Sequence, residues 1–166
     1  GVRLAEAWRG DFLDASSSWT GRGGENAGGE GPGVWKAPAG PVLSTGPTDS
    51  AGEAWPSTVG SEAGFRFRGY SLGADGVPTF EYRWKDCDVA ERVTTVAAPK
   101  LRIRREFTLR RPPPAFVVNV GPGEGRLSFD TPVAVEESLA ADGTTHTRLV
   151  PQSPSDVCRF TLEIEP

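Results

Sequence analysis

Apolar and polar residues alternate most regularly in the middle of the chain. The segment FRFRGYSL at 65–72 alternates aromatic and basic side chains, and TFEYRWK at 79–85 places three aromatic residues on one parity. A period of two is the signature of a strand with one buried face. Asp75-Gly76, between the two segments, is a strong turn signal. The pattern therefore predicts a β-hairpin with one aromatic and one charged face.

Two further alternating segments follow this hairpin. CDVAERVTTV at 87–96 predicts a third strand, and LRIRREFTL at 101–109 predicts a fourth. Arg105 falls on the apolar parity of the fourth segment. At Arg105 we therefore expect a bulge, a sheet edge or a paired arginine.

The C-terminal part of the chain also has strand patterns. AFVVNV at 115–120 is a continuous apolar run, and CRFTLEIE at 158–165 alternates again. We predict an all-β fold, a β-sandwich or open barrel of about ten short strands. The central antiparallel strands would occupy 65–109, and the C-terminal strands 115–166.

Length and composition add long loops to this fold. The 166 residues suit a single β domain over 1–166, while 37% hydrophobic residues, 21 Gly and 15 Pro indicate many turns. Only weak strand patterns surround Trp8 and Phe12. Residues 16–60 are rich in Gly and Pro and predict a long irregular loop region, a feature that is usually functional or disordered.

Three tryptophans lie in this loop-like sequence without any periodicity. Trp19, Trp35 and Trp55 would either pin the long loops to the domain or anchor a partner. Together with Arg22, they are the predicted partner-binding residues.

The aromatic residues of the central strands have a different interpretation. Phe65, Phe67, Phe80, Tyr82 and Trp84 are interleaved with charged residues, a pattern that could also stack on single-stranded nucleic acid. Their strict alternation favours the core of the sheet, so we predict no nucleic-acid partner.

Catalytic side chains are sparse. His146 is the single histidine and is expected to face solvent from a strand. Asp86 and Asp88 are the carboxylate pair that a hydrolase would need, but no second motif accompanies them. Solvated turn residues or, more weakly, ligands of a structural Ca²⁺ are both favoured over an active site. We therefore predict a protein that is not an enzyme and has no cofactor and no metal site. The sequence contains no run of about 18 apolar residues, so it predicts no membrane span.

Cys87 and Cys158 are the two cysteines of the chain. In an oxidising compartment they would form one long-range disulfide. The alternative is two buried free thiols, and the sequence leaves both open.

Charge is unevenly distributed around the net value of −4. Residues 61–111 carry 11 Lys and Arg against 7 Asp and Glu, a difference of +4, while 112–166 carry 3 against 8, a difference of −5. The basic middle could meet an acidic partner. We favour the simpler interpretation, in which alternating strands need a polar face.

Two blocks of sequence carry a family resemblance. The first is WRGDFLDA at 8–15, followed by WT at 19–20 and RG at 22–23; the second is FRFRGYSL at 65–72, followed by GVPTFEY at 76–82. Together they resemble a β-rich domain of large exported proteins of planctomycete type. In those proteins the domain accompanies a quinoprotein-like β-propeller and a c-type cytochrome domain.

The resemblance implies a periplasmic or otherwise exported location. By analogy, this chain would be a non-catalytic accessory or scaffolding subunit that stabilises a membrane-associated electron-transfer assembly, cytochrome-bearing or photosynthetic. Its expected partners are protein subunits of that complex, among them a c-type cytochrome. The alternative is a carbohydrate-binding β-sandwich module, in which exposed aromatic rings stack on sugars.

Overall fold

A computed structural model describes most of the chain. The described residues are 4–8, 11–14, 28–30, 33–46, 55–97, 101–121, 124–139, 144–152 and 156–165. Within these residues the regular secondary structure is β-strand throughout, which confirms the all-β prediction. No helix long and apolar enough to cross a membrane occurs among them.

Fourteen strands are described, numbered here in chain order. They are β1 Glu6–Trp8, β2 Asp11–Asp14, β3 Gly28–Glu30, β4 Gly33–Lys36, β5 Leu43–Ser44, β6 Phe65–Leu72, β7 Pro78–Trp84, β8 Cys87–Val96, β9 Arg102–Arg110, β10 Phe116–Gly121, β11 Glu124–Phe129, β12 Val133–Leu139, β13 Thr145–Pro151 and β14 Val157–Glu165.

The chain divides into two compact units. The smaller unit, Leu4–Ala37, contains two antiparallel strand pairs, β1 with β4 and β2 with β3. The predicted strands around Trp8 and Phe12 are β1 and β2. Short strands β3, β4 and β5 lie within 16–60, where an irregular region was expected. They form there because each finds a pairing partner elsewhere in the chain, which local composition does not reveal.

The larger unit runs on from Pro38 and consists of two antiparallel sheets. The six-stranded sheet has the order β11-β14-β9-β8-β7-β6, and the four-stranded sheet has the order β12-β13-β10-β5. Strands β6 to β9 form a meander because short turns join them. In the first turn Asp75 caps the backbone N–H of Val77, and Gly76 has φ +74°. The predicted hairpin is therefore confirmed.

Aromatic side chains fill the space between the two sheets. Trp84 of β7 meets Phe116 of β10 edge to face, with ring centroids 6.2 Å apart, and Phe116 also meets Phe160 of β14 at 6.1 Å. Within the six-stranded sheet, Phe107 and Phe160 stack at 4.8 Å. Contacts across the layers are those of a β-sandwich.

Ion pairs cover the outer face of the six-stranded sheet. Arg92 lies directly opposite Glu106 with 3.1 Å between their charged atoms, and Arg104 lies directly opposite Glu163 at 2.6 Å. Each such exposed pair stabilises the sheet by at most about 1 kcal/mol. The alternating charged residues of these strands therefore form the polar outer face of the sheet.

Candidate interaction surface

The predicted partner-binding residues are distributed over different parts of the chain. Trp19 and Arg22 lie outside the described residues. Trp35 belongs to β4 of the smaller unit and is only 9% exposed. Its indole nitrogen has no hydrogen-bond partner among the described residues. Burial of this kind suits a packing role, and the partner-binding role of these residues stays a prediction.

Trp55 lies over the outer face of the four-stranded sheet. Its indole N–H donates a hydrogen bond of 2.9 Å to the carbonyl oxygen of Pro41, and its ring stands 4.3 Å from that of His146 on β13. These contacts pin the 55–64 segment to the sheet. His146 was expected to face solvent. It is instead half-buried, because the Trp55 ring covers it.

Cys87 and Cys158 are two buried free thiols in this structure. Cys87 begins β8 and Cys158 lies on β14, with β9 between these strands. Two strand spacings amount to about 10 Å, whereas the Cα atoms of a disulfide are less than about 7 Å apart. Burial raises the pKa of the Cys87 thiol to about 12, with a further contribution from the Asp88 carboxylate. Burial also raises the pKa of Cys158.

The Asp86 and Asp88 carboxylates lie among arginines and not in a cleft. Asp86 is fully exposed in the turn after β7, 3.7 Å from Arg83, and Asp88 pairs with Arg111. The hydrogen bond from Arg111 lowers the pKa of Asp88 below its ordinary value. A general acid would need the opposite shift, so Asp88 lacks the raised pKa of such a group. Among the described residues, no group of three or more His, Cys, Asp or Glu could hold a metal ion.

One charged network lies inside the sandwich. Arg105 of β9 contacts Glu91 of β8 through Nε at 2.7 Å and Nη2 at 2.6 Å, and the Tyr82 hydroxyl donates to the other Glu91 oxygen at 2.9 Å. All three residues are at most 4% exposed, and the Arg105 guanidinium lies over the Phe107 ring. Of the three predicted environments for Arg105, the paired arginine is the one observed. The network is closed to solvent and has no access for a ligand.

Strand β6 presents the main exposed apolar surface of the larger unit. Phe67 is 48%, Tyr70 63% and Leu72 65% exposed. Phe67 therefore departs from the predicted core set, whereas Tyr82 and Trp84 are buried as predicted. The reason is position: β6 is an edge strand, one strand beyond β7, and the four-stranded sheet reaches β7 through the contact between Phe116 and Trp84.

A bulge places all three exposed side chains on one face. The pairing of β6 with β7 shifts between Phe67 and Gly69, so that Phe67 lies opposite Tyr82 while Tyr70 lies opposite Phe80. Without the extra residue, Tyr70 would point to the other side of the sheet. In the sequence this bulge is visible as a change of apolar phase at Gly69, a signal that the strand prediction did not use.

The same residues direct their backbone groups away from the sheet. The hydrogen bond from the Lys85 N–H to the Gly64 carbonyl identifies a hydrogen-bonded pair at one end of the hairpin. The bond from the Gly73 N–H to the Val77 carbonyl identifies another at the turn. Because bonded and non-bonded pairs alternate along an antiparallel ladder, Phe67, Tyr70 and Leu72 fall on non-bonded positions. Their N–H and C=O groups therefore point to the open edge.

Two arginines flank this apolar face from the opposite side of the strand. Arg66 lies directly opposite Arg83. The positive charge of Arg68 contributes to lowering the pKa of Asp88. Both flanking arginines are exposed, and neither has a carboxylate within 4.0 Å among the described residues. We call Arg66, Arg68 and the exposed groups of Phe67, Tyr70 and Leu72 the β6 edge.

Comparison with known proteins adds no relatives. No family model matches the chain, and no curated protein and no solved structure has a significant match to it.

Proposed function

We propose that this protein is a non-catalytic assembly module, which binds and stabilises a larger protein complex. The observation that carries the proposal is the β6 edge, where three large apolar side chains lie beside backbone groups that have no partner among the described residues. Contiguous apolar surface of this kind is typical of protein-binding sites. An open strand edge adds unpaired hydrogen-bonding groups to it.

The complex that we propose is an exported electron-transfer assembly, periplasmic and membrane-associated, with a c-type cytochrome or a photosynthetic complex among its subunits. Support for this finer proposal comes from the two sequence blocks described above. The second block includes all of β6 and much of β7. The residues of the β6 edge are therefore part of the sequence on which the resemblance rests.

The proposal is tested by affinity purification of the tagged full-length protein from membranes of its source organism. The expected result is a stoichiometric complex that carries haem absorbance and sediments well above the mass of the single chain. A protein that is recovered only as a stable, monodisperse monomer from the same membranes would contradict the proposal.

A carbohydrate-binding module is the second candidate, favoured by the exposed ring of Tyr70 next to Phe67. Glycan-array binding that is lost in Tyr70→Ala and retained in Val135→Ala would support it. Val135 is a comparably exposed apolar residue of the other sheet and serves as the control. Absence of binding to every polysaccharide on the array would exclude this candidate.

A further inference from the structure

We infer that the β6 edge binds an extended segment of a partner protein as an added antiparallel strand, in which acidic and apolar residues alternate. This inference rests on the proposed assembly function and names the mode of binding and the chemistry of the partner. It follows from three features of the edge: its backbone, its apolar face and its charge.

The backbone supplies the hydrogen bonds. Phe67, Tyr70 and Leu72 each present an N–H and a C=O to the open side of β6, as the ladder phase shows. Pro78 of β7 lies opposite Leu72 in a non-bonded pair, where β7 donates no N–H to β6. Strand addition uses such groups for affinity and side-chain pockets for specificity.

The side chains dictate an alternating partner. A residue of the added strand opposite Tyr70 or Leu72 would lie on the apolar face, beside rings and aliphatic groups. Its chain neighbours would lie on the other face, where Arg66 and Arg68 project. Because the period of a strand is two, the best occupant alternates apolar and acidic residues.

Charge distinguishes this partner from a second copy of the chain. Several arginines of the outer face, among them Arg92 and Arg104, have carboxylates within reach. On the outer face around Glu81, Asp86 and Asp88, however, three carboxylates lie near five guanidinium groups, a local difference of 5 − 3 = +2. The five are those of Arg66, Arg68, Arg83, Arg110 and Arg111. Antiparallel pairing of two β6 strands would bring Arg66 and Arg68 of one copy close to Arg66 and Arg68 of the other. Like charges in neighbouring strands repel, so self-pairing is disfavoured and an acidic strand is favoured.

The first experiment titrates the isotope-labelled full chain with an eight-residue Glu-Val repeat peptide at low salt, followed by NMR. We expect shifts and slowed hydrogen exchange at the amides of Phe67, Tyr70 and Leu72. A Lys-Val repeat of the same length should bind at least ten-fold more weakly. Equal binding of the two peptides, or protected amides on β11 or β12 instead, would overturn the inference.

Charge variants test the role of the arginines. The double variant Arg66→Glu/Arg68→Glu should weaken binding of the acidic peptide at least ten-fold. The control is Arg126→Glu, which reverses another exposed arginine, on β11, the opposite edge strand of the same sheet. This control should change affinity by less than two-fold. Self-association of the unliganded parent chain through β6 would instead indicate an interface between copies, against the inference.

A backbone variant separates strand addition from simple contact with the apolar face. Leu72→Pro removes one outward N–H and should abolish the added strand, whereas Leu72→Val retains that N–H and should bind nearly as well. Thermal unfolding checks that both variants are folded. If Leu72→Pro does not fold, the charge variants decide the question. If the variants lose the peptide but still co-purify with the haem-containing complex, strand addition is wrong and the assembly function stands.

Discussion

Arg105 is the residue whose environment departs most from that of its strand neighbours. It lies among the buried aromatic residues of the sandwich, where its charge is compensated by Glu91 and where Tyr82 completes the hydrogen bonding of that carboxylate. Such a pair adds little net stability, because desolvation of both ions offsets their attraction. Removal of only one of the two charged side chains, however, leaves the other charge buried without a counterion.

Truncation of Arg105 should therefore be costly. We expect Arg105→Ala to lower the free energy of unfolding by about 3–5 kcal/mol, since Glu91 is then buried alone. The double variant Glu91→Leu/Arg105→Met, which replaces both charges by apolar groups, should recover most of this loss. Urea unfolding of both variants measures the difference. A cost below about 1 kcal/mol for the single variant would show that the network does not hold the core together.

The buried thiols and Tyr82 give stability a defined dependence on high pH. The pKa of Cys87 is raised to about 12 from an ordinary 9.0, mainly by burial, and burial also raises the pKa of Tyr82 well above its ordinary value. Below pH 9 these groups are protonated in both states, so their contribution to stability is fully present. Above pH 9 the unfolded chain releases protons that the folded chain retains, and stability falls as pH rises towards 12.

Urea titrations between pH 7.5 and 10.5 measure this decline. The variant Cys87→Ala removes one of the contributing groups and should have a shallower slope than the parent chain. Because Cys87→Ala also creates a cavity, the comparison concerns the slopes and not the absolute stabilities. Parallel curves for parent and variant would contradict the role of Cys87.

At the scale of elements, the loop segment around Trp55 decides what covers the four-stranded sheet. Gly40 has φ +85°, and a Cβ atom there would lie 2.0 Å from the Pro56 carbonyl oxygen and 2.7 Å from the Trp55 ring. The close approach of these two loop segments is what allows Trp55 to reach Pro41 and His146. Gly76, in the hairpin turn, has a similar φ of +74° but open space where a Cβ would stand.

These two glycines form a matched pair for mutation. Gly76→Ala should cost about 1 kcal/mol, the backbone strain alone. Gly40→Ala should cost about 2–5 kcal/mol, because steric displacement of the Trp55 segment is added to the same strain. Thermal unfolding of both variants gives the comparison, with Trp fluorescence as a local readout for Trp55. Equal costs for the two substitutions would mean that the segment moves aside freely.

At the scale of the whole molecule, the larger unit has an interior enclosed by its two sheets. Cys87 and Cys158 lie at the same end of this interior, on strands separated by β9. The Thr131 hydroxyl approaches the Cys158 sulfur at 3.7 Å. Neither thiol is accessible unless the sheets separate, so their reactivity reports on opening of the sandwich as a unit.

Thiol labelling therefore follows global unfolding. With an aromatic disulfide reagent and no reductant, we expect negligible labelling of the native protein and two thiols per chain in denaturant. Both sites should label with the same denaturant dependence. Rapid labelling of one site in the native state would indicate local opening, and fewer than two reactive thiols in denaturant would indicate a disulfide.

The strands of this protein were largely determined by local sequence. Alternation at 65–72 and 79–85 predicted the hairpin, Asp75-Gly76 predicted its turn, and the position of Arg105 on an apolar parity predicted a paired arginine among three alternatives. These features depend on the period of a strand and on turn chemistry, both of which are local properties of the backbone.

Only the tertiary structure decided the rest. Phe67 and Tyr82 have the same kind of neighbours in sequence, but one lies on an edge strand and the other beneath the second sheet. Strand order depends on pairings between distant segments, such as β9 with β14, and no local period encodes them. For the same reason the sequence could not identify Glu91 as the partner of Arg105, or Trp55 as the cover of His146. The candidate surface at Phe67, Tyr70 and Leu72 became visible only when β6 was placed at an edge.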